Sequence, residues 1–160
     1  MRLLLVSRID NPDAIAYSRK VKDILEEDGV EVSFDSDTAT ILGETGLPLA
    51  DTAADIVVVV GGDGTILRTI QQMLRPVPVI GINRGEVGFL ADIDPTEAIE
   101  FVRTLSRGFS VEERMRITLL KDGIRLGTAL NEALIVTTRP AKMLRFSILV
   151  DGITLSLIHI

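Results

Sequence analysis

The first apolar run of the chain, Leu3-Leu-Leu-Val6 within residues 2–7, is continuous rather than alternating. That is the pattern of a strand buried on both faces, and Asn11-Pro12-Asp13 after it is a helix-start signal. Ala14, Tyr17, Val21, Ile24 and Leu25 then recur at three-to-four spacing and predict a helix through Glu27, with Gly29 as its left-handed stop. Residues 30–34 read as a second strand. Residues 35–54, rich in Asp, Thr and Gly without a clear period, read as a loop or linker. Asp55-Ile-Val-Val-Val-Val60 is the strongest strand in the chain. Gly61-Gly-Asp-Gly64 breaks it, and residues 65–74 carry apolar positions at helical spacing. Pro76 ends that helix, residues 77–82 read as another buried strand, and Pro95 opens a helix through Leu105 that Gly108 terminates.

Strand alternating with helix implies a parallel sheet with helices on its faces. From about residue 110 the pattern changes. Residues 116–121 and those from Ile124 onward flank Asp122-Gly123, and residues 146–150 run into Asp151-Gly152; both dipeptides are two-residue hairpin signals. The expected fold class is therefore α/β, with a Rossmann-like parallel-sheet domain over residues 1–109 followed by an antiparallel β region over 110–160 that stops incomplete.

Composition narrows the chemistry. At 160 residues the chain can bury a real core, roughly 70% of its unfolded surface, and no apolar run approaches the ~20 residues of a membrane span. Arg8 and Asp10 cut the opening run too short for a signal-peptide core, so the expected location is the cytoplasm, without membrane association. The absence of cysteine removes disulfides, thiolate metal sites and cysteine nucleophiles, and the single histidine, His159, is no basis for histidine catalysis. Catalysis falls to carboxylates. A net charge of −6 provides no field for a nucleic-acid backbone, so an anionic small ligand must be caught locally, by backbone N–H groups and a few placed cations.

The place for that is Gly61-Gly-Asp-Gly-Thr65. A buried strand delivers three glycines and a carboxylate to the carboxyl end of the sheet, where α/β folds bind ligands. The glycines let phosphate approach the backbone, and the N–H groups and dipole of the following helix favour an anion. The dipole contributes only ~0.3–1 kcal/mol at exposed sites, so most of the binding falls to N–H hydrogen bonds and a metal ion. A carboxylate among phosphate-binding glycines is costly unless Asp63 holds a metal or takes a proton from an attacking hydroxyl. The plainer reading is a tight strand-to-helix turn in which Asp63 caps the helix.

The Gly61-Gly-Asp-Gly-Thr65 segment resembles the signature shared by NAD kinases, diacylglycerol-type lipid kinases and phosphofructokinases. Gly81-Ile-Asn-Arg-Gly-Glu-Val-Gly-Phe-Leu90, Glu113-Arg-Met-Arg116 and Leu130-Asn-Glu-Ala133 resemble the NAD kinase pattern in order and approximate spacing. A lipid kinase is expected to show Gly-Thr-Ala-Asn-Asp where this chain has Gly88-Phe-Leu-Ala-Asp92. The resemblance covers about residues 1–152. It implies an enzyme that transfers the terminal phosphate of ATP, or of polyphosphate, to the 2′-hydroxyl of the adenosine ribose of NAD to give NADP, with a divalent metal ion such as Mg²⁺ accompanying ATP. The competing readings are an inactive nucleotide-binding fragment and a diacylglycerol-type lipid kinase.

Carried over residue by residue, the resemblance makes Asp63 the catalytic base. Gly61, Gly62, Gly64 and Thr65 form the phosphate loop, and Gly64 also lies beside the dinucleotide. Asn131 and Glu132 match the pair that holds the adenosine portion, and Phe89 matches an aromatic against the adenine, although a core role is its ordinary alternative. Arg68 and Lys142 occupy positions where the family contacts the dinucleotide; Arg84 has only its loop position to suggest a phosphate contact. No protein metal site is expected. Past Asp151-Gly152 the family continues into an Arg-x-Asp-Gly segment and a Thr-Gly-Ser-Thr-Ala-Tyr segment, where this chain reads Ile153-Thr-Leu-Ser-Leu-Ile-His-Ile160. Residues from about 156 are accordingly expected to be foreign to the family, the chain alone to form little or no NADP, and the full-length protein to be a homo-oligomer.

Overall fold

The computed structural model describes residues 1–84, 88–91, 93–138 and 145–159. They form two compact units, Met1–Leu130 and Asn131–Ile160, each described here by itself.

In the first unit the parallel strands β1 (Arg2–Ser7), β2 (Glu31–Phe34), β3 (Ile56–Gly61) and β4 (Val79–Asn83) form one sheet in the order β2-β1-β3-β4. Its helices are α1 (Pro12–Glu27), α2 (Ser36–Leu42), α3 (Asp63–Gln72) and α4 (Pro95–Thr104), the last running into a 3₁₀ turn at Leu105–Arg107. Side chains alternate across the pleat, and both faces are covered. Leu3, Leu5, Val58 and Val60 pack with Tyr17 and Val21 of α1 and Val102 of α4. On the other face Leu4, Val6, Val57 and Val59 pack with Ile66 of α3 and Met73. This is why the strands read as unbroken apolar runs. The α/β fold class is as expected.

The expected loop over 35–54 contains a helix. Asp35 caps α2, accepting hydrogen bonds from the backbone N–H groups of Asp37 (3.2 Å) and Thr38 (3.3 Å), and Gly43 ends it at φ 70°. Seven residues with two buried positions, Thr38 and Ala39, leave too little periodicity to detect, although the cap and the glycine stop were both legible. A second shift bears on function. The third helix begins at Asp63 rather than Thr65, so the carboxylate occupies the first helical position.

Antiparallel pairing appears where the hairpin signals placed it. Strands β5 (Ile117–Lys121) and β6 (Ile124–Ala129) join through Asp122 (φ 51°) and Gly123 (φ 79°), the mirror-image turn whose twist matches paired strands. In the second unit β7 (Arg145–Val150) and β8 (Ile153–His159) do the same through Asp151-Gly152. The Arg116 guanidinium, just before β5, donates to the Ile70 carbonyl on α3 (3.3 Å) and to the Thr128 hydroxyl (2.8 Å). This tie joins the first hairpin to the parallel-sheet unit. The compact units divide after residue 130. Among the described residues no helix is long and apolar enough to cross a membrane.

Asp35 is buried, and burial pushes its carboxyl above the usual range. A raised folded-state value means that ionising Asp35 costs folding free energy, so stability falls as pH rises from the unfolded carboxyl value near ~3.9 through the folded one. Asp35→Asn keeps the cap without the buried charge. It is expected to match or exceed the parent melting temperature at pH 7, an advantage that disappears below about pH 3.9, while Asp35→Ala loses about 1 kcal/mol at either pH. Thermal melts of the three proteins across pH check this.

Candidate active site at the glycine turn

Three elements converge at the carboxyl edge of the sheet. β3 ends at Gly61, α3 starts at Asp63, and the segment after β4 leaves at Asn83 and returns at Ile93. The base of that excursion is closed by the Asn83 N–H donating to the Ile93 carbonyl (2.9 Å), and the Arg84 N–H donates to the Gly61 carbonyl (3.2 Å). The two glycine segments are therefore tied backbone to backbone before any side chain is considered.

The Asp63 carboxylate completes the tie. One oxygen accepts from the Phe89 N–H (2.8 Å), the other from the N–H groups of Leu90 (2.9 Å) and Ala91 (3.2 Å). The helix cap is Gly62, which has no capping side chain, so Asp63 is not the cap that the plainer reading supposed; it anchors a separate loop. The hydrogen bond from Phe89, with those from Leu90 and Ala91, holds its carboxyl below the usual range against the opposing effect of burial. Gly88 is glycine for a reason of space: a Cβ there would overlap the Asp63 carboxylate. Gly61 likewise leaves room for Thr65 and the Arg8 side chain.

Phe89 is 94% exposed, which removes its core alternative and leaves an aromatic ring in solvent on the loop that Asp63 anchors. Gly64 is exposed, with nothing near where a Cβ would be. Thr65 is buried beneath the turn. Gly62, Gly64, Thr65 and Arg68 line a cavity of about 460 Å³ together with Arg8, Ile9 and Asp10. The sequence gives Arg8 and Asp10 no place in the site, because only the sheet order brings the end of β1 beside β3. Arg84 stacks its guanidinium over the Tyr17 ring, 4.2 Å from the centroid. Asn131 and Glu132 begin the second unit, exposed and outside any strand. Lys142 lies outside the described residues. No group of three or more acidic or histidine side chains suited to a metal occurs among the described residues.

An open parallel sheet with its crevice at the carboxyl ends, and a glycine turn leading into a helix there, define an α/β protein of the doubly wound class. The ATP-NAD kinase N-terminal domain family matches residues 3–109. The chain is 59% identical over 152 residues to an NAD kinase of Methanoregula boonei, covering 95% of this chain and 56% of that protein. It is 35% identical over 158 residues to one of Thermococcus kodakarensis. Among solved structures, an NAD kinase from Archaeoglobus fulgidus in complex with ATP aligns with a TM-score of 0.73 at 27% identity, over 99% of this chain and 57% of that one. Yeast NADH kinase complexed with NADH aligns at 0.83 and 20% identity, over 98% and 51%, a likeness of fold. The chain belongs to the NAD kinase family, and it spans about half the length of the curated relatives it matches.

The site geometry makes opposite predictions for two neighbouring glycines. Gly88→Ala displaces the Asp63 carboxylate and is expected to lower the melting temperature by about 2–4 °C, the effect of roughly 1 kcal/mol of lost hydrogen bonding. Gly64→Ala meets open space and leaves it unchanged. Melting both variants beside the parent tests the pair.

Proposed function

We propose that this chain supplies the donor loop and catalytic carboxylate of an NAD kinase, which transfers the terminal phosphate of ATP, or of polyphosphate, to the 2′-hydroxyl of the adenosine ribose of NAD. The observation that carries the reading is the ionised Asp63 carboxylate fixed at the first position of a glycine-opened helix and bound to the second glycine loop. Family membership supports it. The ribose oxygen attacks the terminal phosphorus as the bond to the bridging oxygen breaks; the diphosphate leaves, and the hydroxyl proton passes to Asp63.

Three N–H donors make Asp63 a weaker base than a free carboxylate. Phosphoryl transfer through a loose transition state asks little of its base before the bond to the leaving group has stretched, and positioning contributes most of the rate. In this reading Gly61, Gly62, Gly64 and Thr65 form the phosphate loop, in which the Thr65 N–H already donates to the Gly62 carbonyl (3.0 Å), and Phe89 stacks on the adenine. Asn131 and Glu132 hold the adenosine portion, and Arg68 and Lys142 contact the dinucleotide. In this reading Mg²⁺ would accompany ATP, bound through phosphate oxygens and waters, and would neutralise charge on the phosphates. The β5–β6 hairpin, whose Leu120, Ile124 and Leu126 are exposed, belongs in this reading to a larger β domain through which subunits assemble.

Residues 1–152, joined to the C-terminal portion of the Methanoregula boonei relative, are expected to make NADP from NAD, ATP and magnesium. In that chimera Asp63→Asn lowers turnover toward the upper end of ~10²–10⁴-fold, and NAD affinity falls as well, because the amide nitrogen cannot accept an N–H from the loop over residues 89–91. A folded chimera that forms no NADP overturns the reading, and an Asp63→Asn variant with near-parental turnover removes Asp63 from the role of base.

A further inference from the structure

The sheet order β2-β1-β3-β4 places the topological switch point between β1 and β3, because the chain leaves β1 toward β2 on one side and returns to β3 on the other. Ligand crevices of open parallel sheets form at such a point. The cavity of about 460 Å³ lies there, lined by Arg8 and Asp10 from the end of β1 and by Gly62, Gly64, Thr65 and Arg68 from the turn and α3. Its size is within the ~300–1,000 Å³ usual for small-molecule sites.

Arg8 is firmly seated at its root. Its N–H donates to the Val60 carbonyl (2.8 Å), and its Cβ lies 3.2 Å from where a side chain at position 61 would begin. Its guanidinium makes a forked pair with Asp10, Nε to one carboxylate oxygen at 2.8 Å and Nη2 to the other at 3.2 Å. The hydrogen bond from Arg8, with the Arg8 and Arg68 charges adding to it, holds the Asp10 carboxyl below the usual range. Two phosphate oxygens present the same geometry to that fork as a carboxylate does. An exposed ion pair of this kind is weak and easily exchanged.

The direction of transfer decides which substrate meets this fork. Asp63 points its carboxylate toward residues 89–91, beyond β3 on the β4 side. A hydroxyl that surrenders its proton to Asp63 therefore approaches from there. Attacking and leaving oxygens lie roughly in line across the transferred phosphorus, which puts the leaving phosphates on the β1 side of the turn. In a chain of net charge −6, cations at that position are what offsets the repulsion of a polyanion.

We infer that Arg8, pre-oriented by Asp10, binds the polyphosphate of the phosphoryl donor in the crevice between the ends of β1 and β3, exchanging its carboxylate partner for phosphate oxygens. The assignment rests on the kinase reading above.

Calorimetric titration of the whole 160-residue chain with inorganic tripolyphosphate, ATP and NAD, each at low salt, tests it. Arg8→Ala is expected to weaken tripolyphosphate and ATP by about tenfold each, the loss of one forked charge-assisted contact. NAD affinity stays within a factor of about two. Arg8→Lys, which retains charge without the fork, loses about threefold and serves as the deciding variant if Arg8→Ala does not fold. Equal losses for the two donors place the phosphates alone at Arg8; a larger loss for ATP than for tripolyphosphate adds the nucleoside. Parental tripolyphosphate affinity in both variants overturns the Arg8 assignment and leaves the kinase reading standing. So does a loss confined to NAD, which would put the dinucleotide's own phosphates in the crevice. A parent chain that binds neither donor nor NAD overturns the reading and the assignment together.

Discussion

One carboxylate holds the site together. Asp63 accepts three backbone N–H groups from residues 89–91, and the loop from Gly88 to Ala91 is arranged around that contact. Gly88 has no side chain because the carboxylate occupies its space. Leu90 N–H and Ala91 N–H turn inward to the carboxylate, so the ring of Phe89 between Gly88 and Leu90 is left standing in solvent. A buried or half-buried carboxylate needs such donors to remain ionised. The loop in turn needs an acceptor for N–H groups that no strand pairs. Each satisfies the other, and the result is a rigid bridge between the two glycine segments.

That bridge divides the turn into two sides. The β4 side carries the Asp63 carboxylate, Phe89 and the loop tied at Asn83 and Ile93; the β1 side carries Arg8, Asp10 and Arg68 around an open crevice. The sheet order produces the division, since β3 has β1 on one flank and β4 on the other. The proposed reaction between a polyanion and a hydroxyl would use this separation, with the anion on the Arg8 and Arg68 side and the hydroxyl at the carboxylate.

The sequence was legible wherever burial is complete or a turn is chemically marked. Leu3 to Val6 and Ile56 to Val60, buried on both faces, could hardly be anything but central strands, and Asp122-Gly123 and Asp151-Gly152 adopt the positive φ values that only such dipeptides tolerate readily. Helix α2 escaped because its stability comes from the Asp35 cap and the Gly43 stop rather than from an apolar face. Asp63 was readable as the chemical residue of the turn, yet its hydrogen-bond partners lie 26 to 28 residues away and no local pattern announces them. Arg8 and Asp10 look like an ordinary strand end until the topology sets them beside Gly62. Asn131 and Glu132 were found through resemblance alone.

The Asp63 bridge is most directly tested by an NMR pH titration that follows the Asp63 carboxyl carbon together with the amide protons of Phe89, Leu90 and Ala91. Because the folded-state value is depressed, the hydrogen bonds stabilise the fold above the unfolded carboxyl value and are lost as pH falls through the folded one. With the bridge in place all four signals titrate together, with one midpoint below the ordinary aspartate value of about 3.9. A carboxyl that titrates at the ordinary value while the three amides stay unmoved would contradict this.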